Sequence, residues 1–242
     1  MKSSIAEYCR LLRLGNHIVK HYEDIKAETH EEFLLKILEV EYECREVVKK
    51  NRAIKAATFD MLKTFETYEF KKVSIPKSTS IEDIKSGAFI DRKENLILYG
   101  GVGLGKTHLA TSIGIEACNN GKKVKFYRTA TLVNELIDAK ENGSLTKLMR
   151  KLKKMDLIIC DEWGYIPLDT DGAQLLFNVI SECYEKRSII LTTNLEFSKW
   201  NNIFYNDRLT SAIVDRLVHY SHLLIFEGPS HRVENSILRN NQ

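Results

Sequence analysis

Proline is scarce, 3 in 242 residues, which argues against long disordered linkers. Cysteine is sparse and scattered: Cys9, Cys44, Cys118, Cys160 and Cys183 form no C-x-x-C pair. They read as reduced intracellular thiols, neither a disulfide framework nor a metal site. No apolar run reaches membrane-spanning length, and Met1–Tyr8 has no apolar signal core, so no membrane is expected as a partner and the cytoplasm is the expected location. The net charge is only +3, which excludes a uniformly basic nucleic-acid binder; any basic surface must be local. Internal repeats and low-complexity tracts are also missing. An apolar content of 43% and a charged content of 29% describe an ordinary globular protein. This length allows one large domain, or a domain with a smaller partner.

Glycine is where the sequence becomes specific. Gly100, Gly101, Gly103 and Gly105 fall within six positions, between the apolar run Leu96–Tyr99 and the helical spacing of Leu109, Ile113 and Ala117. Gly100, Gly105, Lys106 and Thr107 fill G-x-x-x-x-G-K-[ST], in the strand–loop–helix setting a phosphate loop needs. The loop turns backbone N–H groups toward an anion, and the following helix adds its N-terminal dipole. Gly100, Gly101, Val102, Gly103, Leu104, Gly105, Lys106, Thr107 and His108 are therefore the candidate nucleotide cradle. Lys106 is placed for the outer phosphates and Thr107 for Mg²⁺.

Strands and helices alternate after the loop. Strands are expected at Val124–Tyr127, Leu157–Cys160, Ser188–Thr192 and His222–Phe226. The helices between them are expected at Thr131–Lys140, Leu145–Lys153, Ala173–Lys186 (with Asp171 as a possible cap) and Leu209–His219. This alternation predicts an α/β domain with a parallel sheet flanked by helices. Asp161-Glu162 is expected to end a buried strand at the ligand edge of that sheet. Asp161 is then the candidate Mg²⁺ ligand, and Glu162 the carboxylate that orients an attacking water. Asn194, closing the next strand, is the candidate polar sensor of that water. Arg216, or with nearly equal claim Arg208, can reach a neighbouring subunit's γ-phosphate as an arginine finger. Arg232 is a weaker candidate for phosphate contact.

Residues 1–57 read as an all-α domain and 58–242 as the nucleotide-binding domain. Ile5, Cys9 and Leu12 share a helical stripe that stops near Gly15. A second short helix fits Ile18–Ile25. Thr29-x-x-Glu32 is a capping box ahead of a third, which runs to Ala57. Arg45, Lys49 and Arg52 lie on one face of it, as phosphate contacts or as a solvated face. The aromatic-rich run Thr64–Phe70 either packs beside a nucleotide base or joins the core. Ile81–Arg92 reads as one short helix. Helix 145–153 is amphipathic, with Leu145, Leu148 and Leu152 opposite Lys147, Arg150 and Lys151; Lys153 and Lys154 extend the charge. Such a helix either grips a phosphate backbone or is simply solvated.

Four motifs in order carry a family resemblance: Gly-Leu-Gly-Lys-Thr-His-Leu-Ala (103–110), Asp-Glu-Trp-Gly-Tyr-Ile-Pro-Leu (161–168), Leu-Thr-Thr-Asn-Leu-Glu-Phe-Ser-Lys-Trp (191–200) and Arg-Leu-Thr-Ser-Ala-Ile-Val-Asp-Arg-Leu (208–217). From about Phe59 to Arg232 the chain resembles IstB, the helper ATPase of a bacterial insertion-sequence family, related to the helicase loader DnaC. The resemblance implies an AAA+ ATPase core that assembles on duplex DNA, with ATP between the subunits of a homo-oligomer. It implies target bending, and recruitment and stimulation of the transposase. It makes Lys106 and Thr107 the phosphate and Mg²⁺ residues, Asp161 and Glu162 the metal and catalytic carboxylates, Asn194 the sensor and Arg216 a finger acting in trans. It also implies that helices 131–153 face DNA. The chain departs from the family in having Gly101-Val102 where two prolines are frequent. It also ends soon after Phe226, so that little or no C-terminal lid is expected around Arg232. The alternatives are a helicase loader and a nucleotide-gated DNA scaffold with little turnover.

Overall fold

A computed structural model describes residues 1–165, 167–204 and 206–234. The side chains of Arg232 and Glu234 lie outside that description. The chain divides into two compact units, Met1–Arg52 and the residues from Ala53 onward.

The first unit is helical: α1 (Lys2–Leu11), α2 (Asn16–His21) and most of α3 (His30–Ala57). Residues 22–24, expected to continue α2, form a separate 3-10 turn. Thr29 caps α3 by accepting from the Glu32 amide at 3.1 Å, while the Glu32 carboxylate reaches back to the Glu28 amide at 2.8 Å. The unit is tied together at Glu41, which is only 5% exposed. Its carboxylate accepts from the Gly15 amide at 2.8 Å and from Arg45 Nε at 2.6 Å, with His17 Nε2 3.0 Å away. Arg45 also donates to the Arg13 carbonyl at 2.7 Å.

The second unit is a sheet between two layers of helices. Its remaining elements are β1 (Val73–Ser74), α4 (Ile81–Ser86), α5 (Ala88–Asp91), β2 (Asn95–Gly100), α6 (Lys106–Asn119), β3 (Val124–Arg128), α7 (Thr129–Glu141), α8 (Leu145–Leu152), β4 (Leu157–Trp163), α9 (Thr170–Cys183), β5 (Ser188–Thr193), α10 (Asn201–Phe204), α11 (Asp207–Val218), β6 (Ser221–Phe226) and α12 (His231–Glu234). The strand order is β1-β6-β2-β5-β4-β3, parallel except for the antiparallel β1. The unbroken apolar runs Leu96–Leu98, Leu157–Ile159 and Ile189–Leu191 are buried, as strands covered on both faces require. One hydrophobic core packs α7, α9 and α11 against the sheet; the other packs α4, α5 and α6. Trp163 and Trp200, undecided from sequence, are both buried, with ring centroids 5.4 Å apart.

Several local expectations are corrected. The stretch 81–92 is two helices, because Gly87 adopts φ +74° and turns the chain between them. The cap of α9 is Asp169, which accepts from the Gly172 amide at 2.7 Å; Asp171 lies inside the helix and pairs with Lys140. The aromatic run 64–70 forms two 3-10 turns. Most consequential, Asp161 and Glu162 do not end their strand, since β4 continues to Trp163 through a bulge after Cys160. Among the described residues the only element after β6 is the four-residue α12. Also among them, no helix is long and apolar enough to cross a membrane.

Gly100 closes β2 at φ +153°, and a Cβ there would lie 2.4 Å from the Phe226 carbonyl oxygen. Backbone cannot yield as a flexible side chain can. Gly100→Ala is therefore expected to lower unfolding free energy by about 1–3 kcal/mol in denaturant titration. An unchanged midpoint would contradict this packing.

Candidate nucleotide and metal site

The carboxyl ends of β2, β4 and β5 meet the N-terminus of α6. Gly105 caps α6 at φ +91°, which aims the first amides of the helix into the loop. Lys106 Nζ donates to the carbonyls of Gly100 at 2.7 Å and Gly101 at 2.6 Å, so its ammonium is held over the glycine turn. A Cβ at Gly101 would lie at ordinary contact distance, 3.5 Å, from Leu104, so a side chain there meets no clash.

Asp161 is the hub. It is 3% exposed. Thr107 Oγ1 donates toward its two carboxylate oxygens, at 3.0 and 3.1 Å. Thr192 Oγ1, from β5, donates to Oδ1 at 2.6 Å. Thr129 Oγ1 donates to the Asp161 carbonyl at 2.8 Å. The same Thr192 oxygen accepts from the Glu162 amide at 3.0 Å. That bond fixes Glu162 in the left-handed region, at φ +57°, a conformation glutamate rarely adopts. The bulge turns the exposed Glu162 side chain into the pocket, beside Lys106, Thr107 and Asp161. Thr107 Oγ1 and the Asp161 carboxylate present hard oxygens side by side, the donor type that Mg²⁺ takes. Among the described residues no group of three or more His, Cys, Asp or Glu is gathered as a metal cluster.

The far wall of the pocket is the segment Asp60–Glu69. Tyr68 stands edge-on to His108, with centroids 5.0 Å apart, and a Cβ at Gly105 would lie 3.5 Å from its ring. Burial raises the Tyr68 pKa, so its hydroxyl stays protonated. His108 Nε2 meets the Thr64 carbonyl at 3.0 Å, which ties the cradle helix to this wall. The His231 amide donates to the Gly103 carbonyl at 3.0 Å, so α12 starts against the loop. Arg128, paired with Asp60 at 2.7 Å, completes the rim.

The other candidates lie elsewhere. Asn194 follows β5 directly, is exposed and does not line the pocket. Arg216 sits outside its own pocket, 5.0 Å from the Phe177 ring centroid, and donates to the Ala212 carbonyl at 3.0 Å. Arg208 is exposed at the start of α11. The Arg232 side chain lies outside the described residues. Arg45 is committed to Glu41, and Lys49 pairs with Glu46 at 3.1 Å; Arg52 is exposed. On α8, Lys147, Arg150 and Lys151 are exposed opposite the buried Leu148 and Leu152. Lys153 and Lys154 follow the helix, and among the described residues only Lys153 has an acidic partner, Glu182, at 3.0 Å. Thr129, Asp60, Arg128 and His231 lie outside the four motifs, and Thr192 lies inside one that pointed to Asn194; sequence reasoning missed the part all five play in the site.

A phosphate loop at the head of this strand order, with an acidic strand beside it, defines a P-loop ATPase fold of the AAA+ class. The solved DnaC helicase loader superposes with a TM-score of 0.50 at 21% identity, over 73% of this chain and 99% of that one. The family described as IstB-like ATP binding protein matches residues 11–238, and the chain belongs to it. A relative from Geobacillus stearothermophilus, named as an ATP-binding protein of insertion sequence IS5376, is 36% identical over 99% of this chain and 97% of its own. Another, from Bacillus thuringiensis subsp. berliner and named for insertion sequence IS232, is 32% identical over 97% of this chain and 95% of its own.

Thr192→Val removes the hydroxyl that serves both Asp161 and Glu162 and leaves a buried carboxylate oxygen short of a donor. Unfolding free energy is expected to fall by about 1–3 kcal/mol, with a matching loss of Mg²⁺-dependent nucleotide affinity in titration. Unaltered stability and affinity would show that Thr192 does not hold the pair.

Proposed function

We propose that this chain binds ATP with Mg²⁺, hydrolyses it, and acts on duplex DNA as the helper of an insertion sequence's transposase. The observation that carries the reading is the hydrogen-bonded unit Thr107–Asp161–Thr192–Glu162 beside Lys106. Lys106 and the α6 amides bind the phosphates. Thr107 and Asp161 would hold Mg²⁺, which would supply neutralisation of phosphate charge. The exposed Glu162 carboxylate orients a water toward the γ-phosphate and takes its proton. Within the otherwise more polar 60–69 wall, Tyr68 and Met61 supply surface against which a base can pack. Arg216, held outside its own pocket, supports a role in a neighbour's site within a homo-oligomer, while Asn194, directly after β5, is the sensor of the attacking water in its own subunit.

Two facts support the DNA half. The outer face of α8 carries Lys147, Arg150 and Lys151, for which no acidic partner lies among the described residues, and the relatives are named for insertion sequences. Arg52 adds a cation on α3. Each phosphate neutralised contributes a log–log salt slope of about −0.9, so a steep slope is expected.

Two measurements test the reading. Glu162→Gln is expected to keep ATP binding and ATP-dependent assembly on duplex DNA while phosphate release falls by roughly 100-fold or more. Hydrolysis at the wild-type rate would remove Glu162 from the chemistry. Absence of turnover in the wild-type protein, with assembly intact, would favour a nucleotide-gated scaffold. Replacing Lys147, Arg150, Lys151 and Lys154 with serine is expected to flatten the salt slope by about 3 or more. An unchanged slope would remove α8 from the DNA surface.

A further inference from the structure

α9 and α11 share one hydrophobic core, to which α9 gives the buried Leu176 and Ile180 and α11 the buried Ile213 and Leu217. Phe177 and Arg216 stand next in sequence to two of these residues and are half-buried at the margin of that core. There the Arg216 guanidinium carbon lies over the Phe177 ring, 5.0 Å from its centroid. Arg216 Nη1 also donates to the Ala212 carbonyl, one turn earlier in α11, at 3.0 Å. The side chain therefore runs back along the helix instead of out into solvent.

The character of these two contacts matters. Arg45, Arg92 and Arg128 each lie against a carboxylate. Among the described residues Arg216 has no acidic partner. A carboxylate would orient a guanidinium by neutralising it. A ring face orients it through the ring quadrupole and leaves its charge whole, and a backbone carbonyl adds no counter-charge either. An arginine loose in solvent would lose rotamer freedom on meeting a phosphate. Arg216 is restrained in advance, with its cation uncompensated.

We propose that Phe177 is a positioning residue for Arg216: its ring holds the guanidinium in the orientation from which it reaches the γ-phosphate of a neighbouring subunit. The inference rests on the reading of Arg216 as a finger acting in trans. Phe177 does not line the pocket of its own chain. It acts only through the arginine above it, so loss of the ring is felt in the neighbour's pocket and not in its own.

The test places Phe177→Leu, which keeps an apolar side chain and removes the ring, on one chain at a time. ATP hydrolysis is measured with duplex DNA in mixtures of two chains: Lys106→Ala, which keeps the finger, and Arg216→Ala, which keeps the phosphate cradle. On the Lys106→Ala chain, Phe177→Leu is expected to lower kcat by about tenfold, with KM for ATP within about twofold. On the Arg216→Ala chain, which has no guanidinium to hold, the same change is expected to leave the rate within about twofold. Phe177→Tyr on the Lys106→Ala chain is expected to restore the rate, since it restores a ring face. Equal loss from both placements would make Phe177 a packing residue and overturn the inference. No loss from either placement, or a tyrosine no better than leucine, would overturn it too. A parent mixture that co-assembles without hydrolysing ATP removes the finger itself, and the inference with it, before Phe177 is changed.

Discussion

The Asp161 carboxylate, almost without exposure, accepts hydroxyl hydrogens from Thr107 on α6 and Thr192 on β5. Burying an ionised carboxylate is costly unless donors replace its water. Here the donors come from two different elements, so the carboxylate also joins the cradle helix to the centre of the sheet. Thr192 accepts the Glu162 amide as well, and so sets the bulge that turns Glu162 toward the pocket. Phosphate cradle, metal carboxylate and candidate base form one hydrogen-bonded body.

The basic residues divide by what their release would expose. Arg45 belongs to the Glu41 knot, and taking it for a phosphate would strip a buried carboxylate of a close partner. Lys153 and Glu182 form a pair exposed on both sides and screened by solvent, so Lys153 can change partners at little cost. Lys147, Arg150 and Lys151 project from a helix whose apolar side is anchored by Leu148 and Leu152. Their charge is available without disturbing the fold.

The phosphate loop was legible because its chemistry is contiguous: glycines, lysine and threonine act where they stand in the chain. The parallel sheet was legible from apolar runs at strand length, and the acidic pair from its place after such a run. The partners of that pair were not. Thr192 reaches Asp161 only through the sheet register that sets Leu98 beside Thr192 and Cys160 beside Leu191. Arg128 reaches the pocket by lying opposite Asp161 across β3 and β4. No local pattern announces either. The left-handed Glu162 was hidden for a different reason: propensity argues against that backbone, and a tertiary hydrogen bond imposes it. Asp169 and Asp171 both precede the apolar face of α9, so composition alone did not separate cap from helix.

The claim on which the rest stands is a site completed by a second copy of the chain. It is tested most directly by mixing two variants: on this proposal Lys106→Ala cannot hold the triphosphate and Arg216→Ala cannot complete a neighbour's site. Each alone is expected to be inactive, and the mixture to recover part of the wild-type hydrolysis, because an intact Lys106 then meets an intact Arg216 across an interface. No recovery from variants that fold and co-assemble, or full activity of Arg216→Ala alone, would contradict the account.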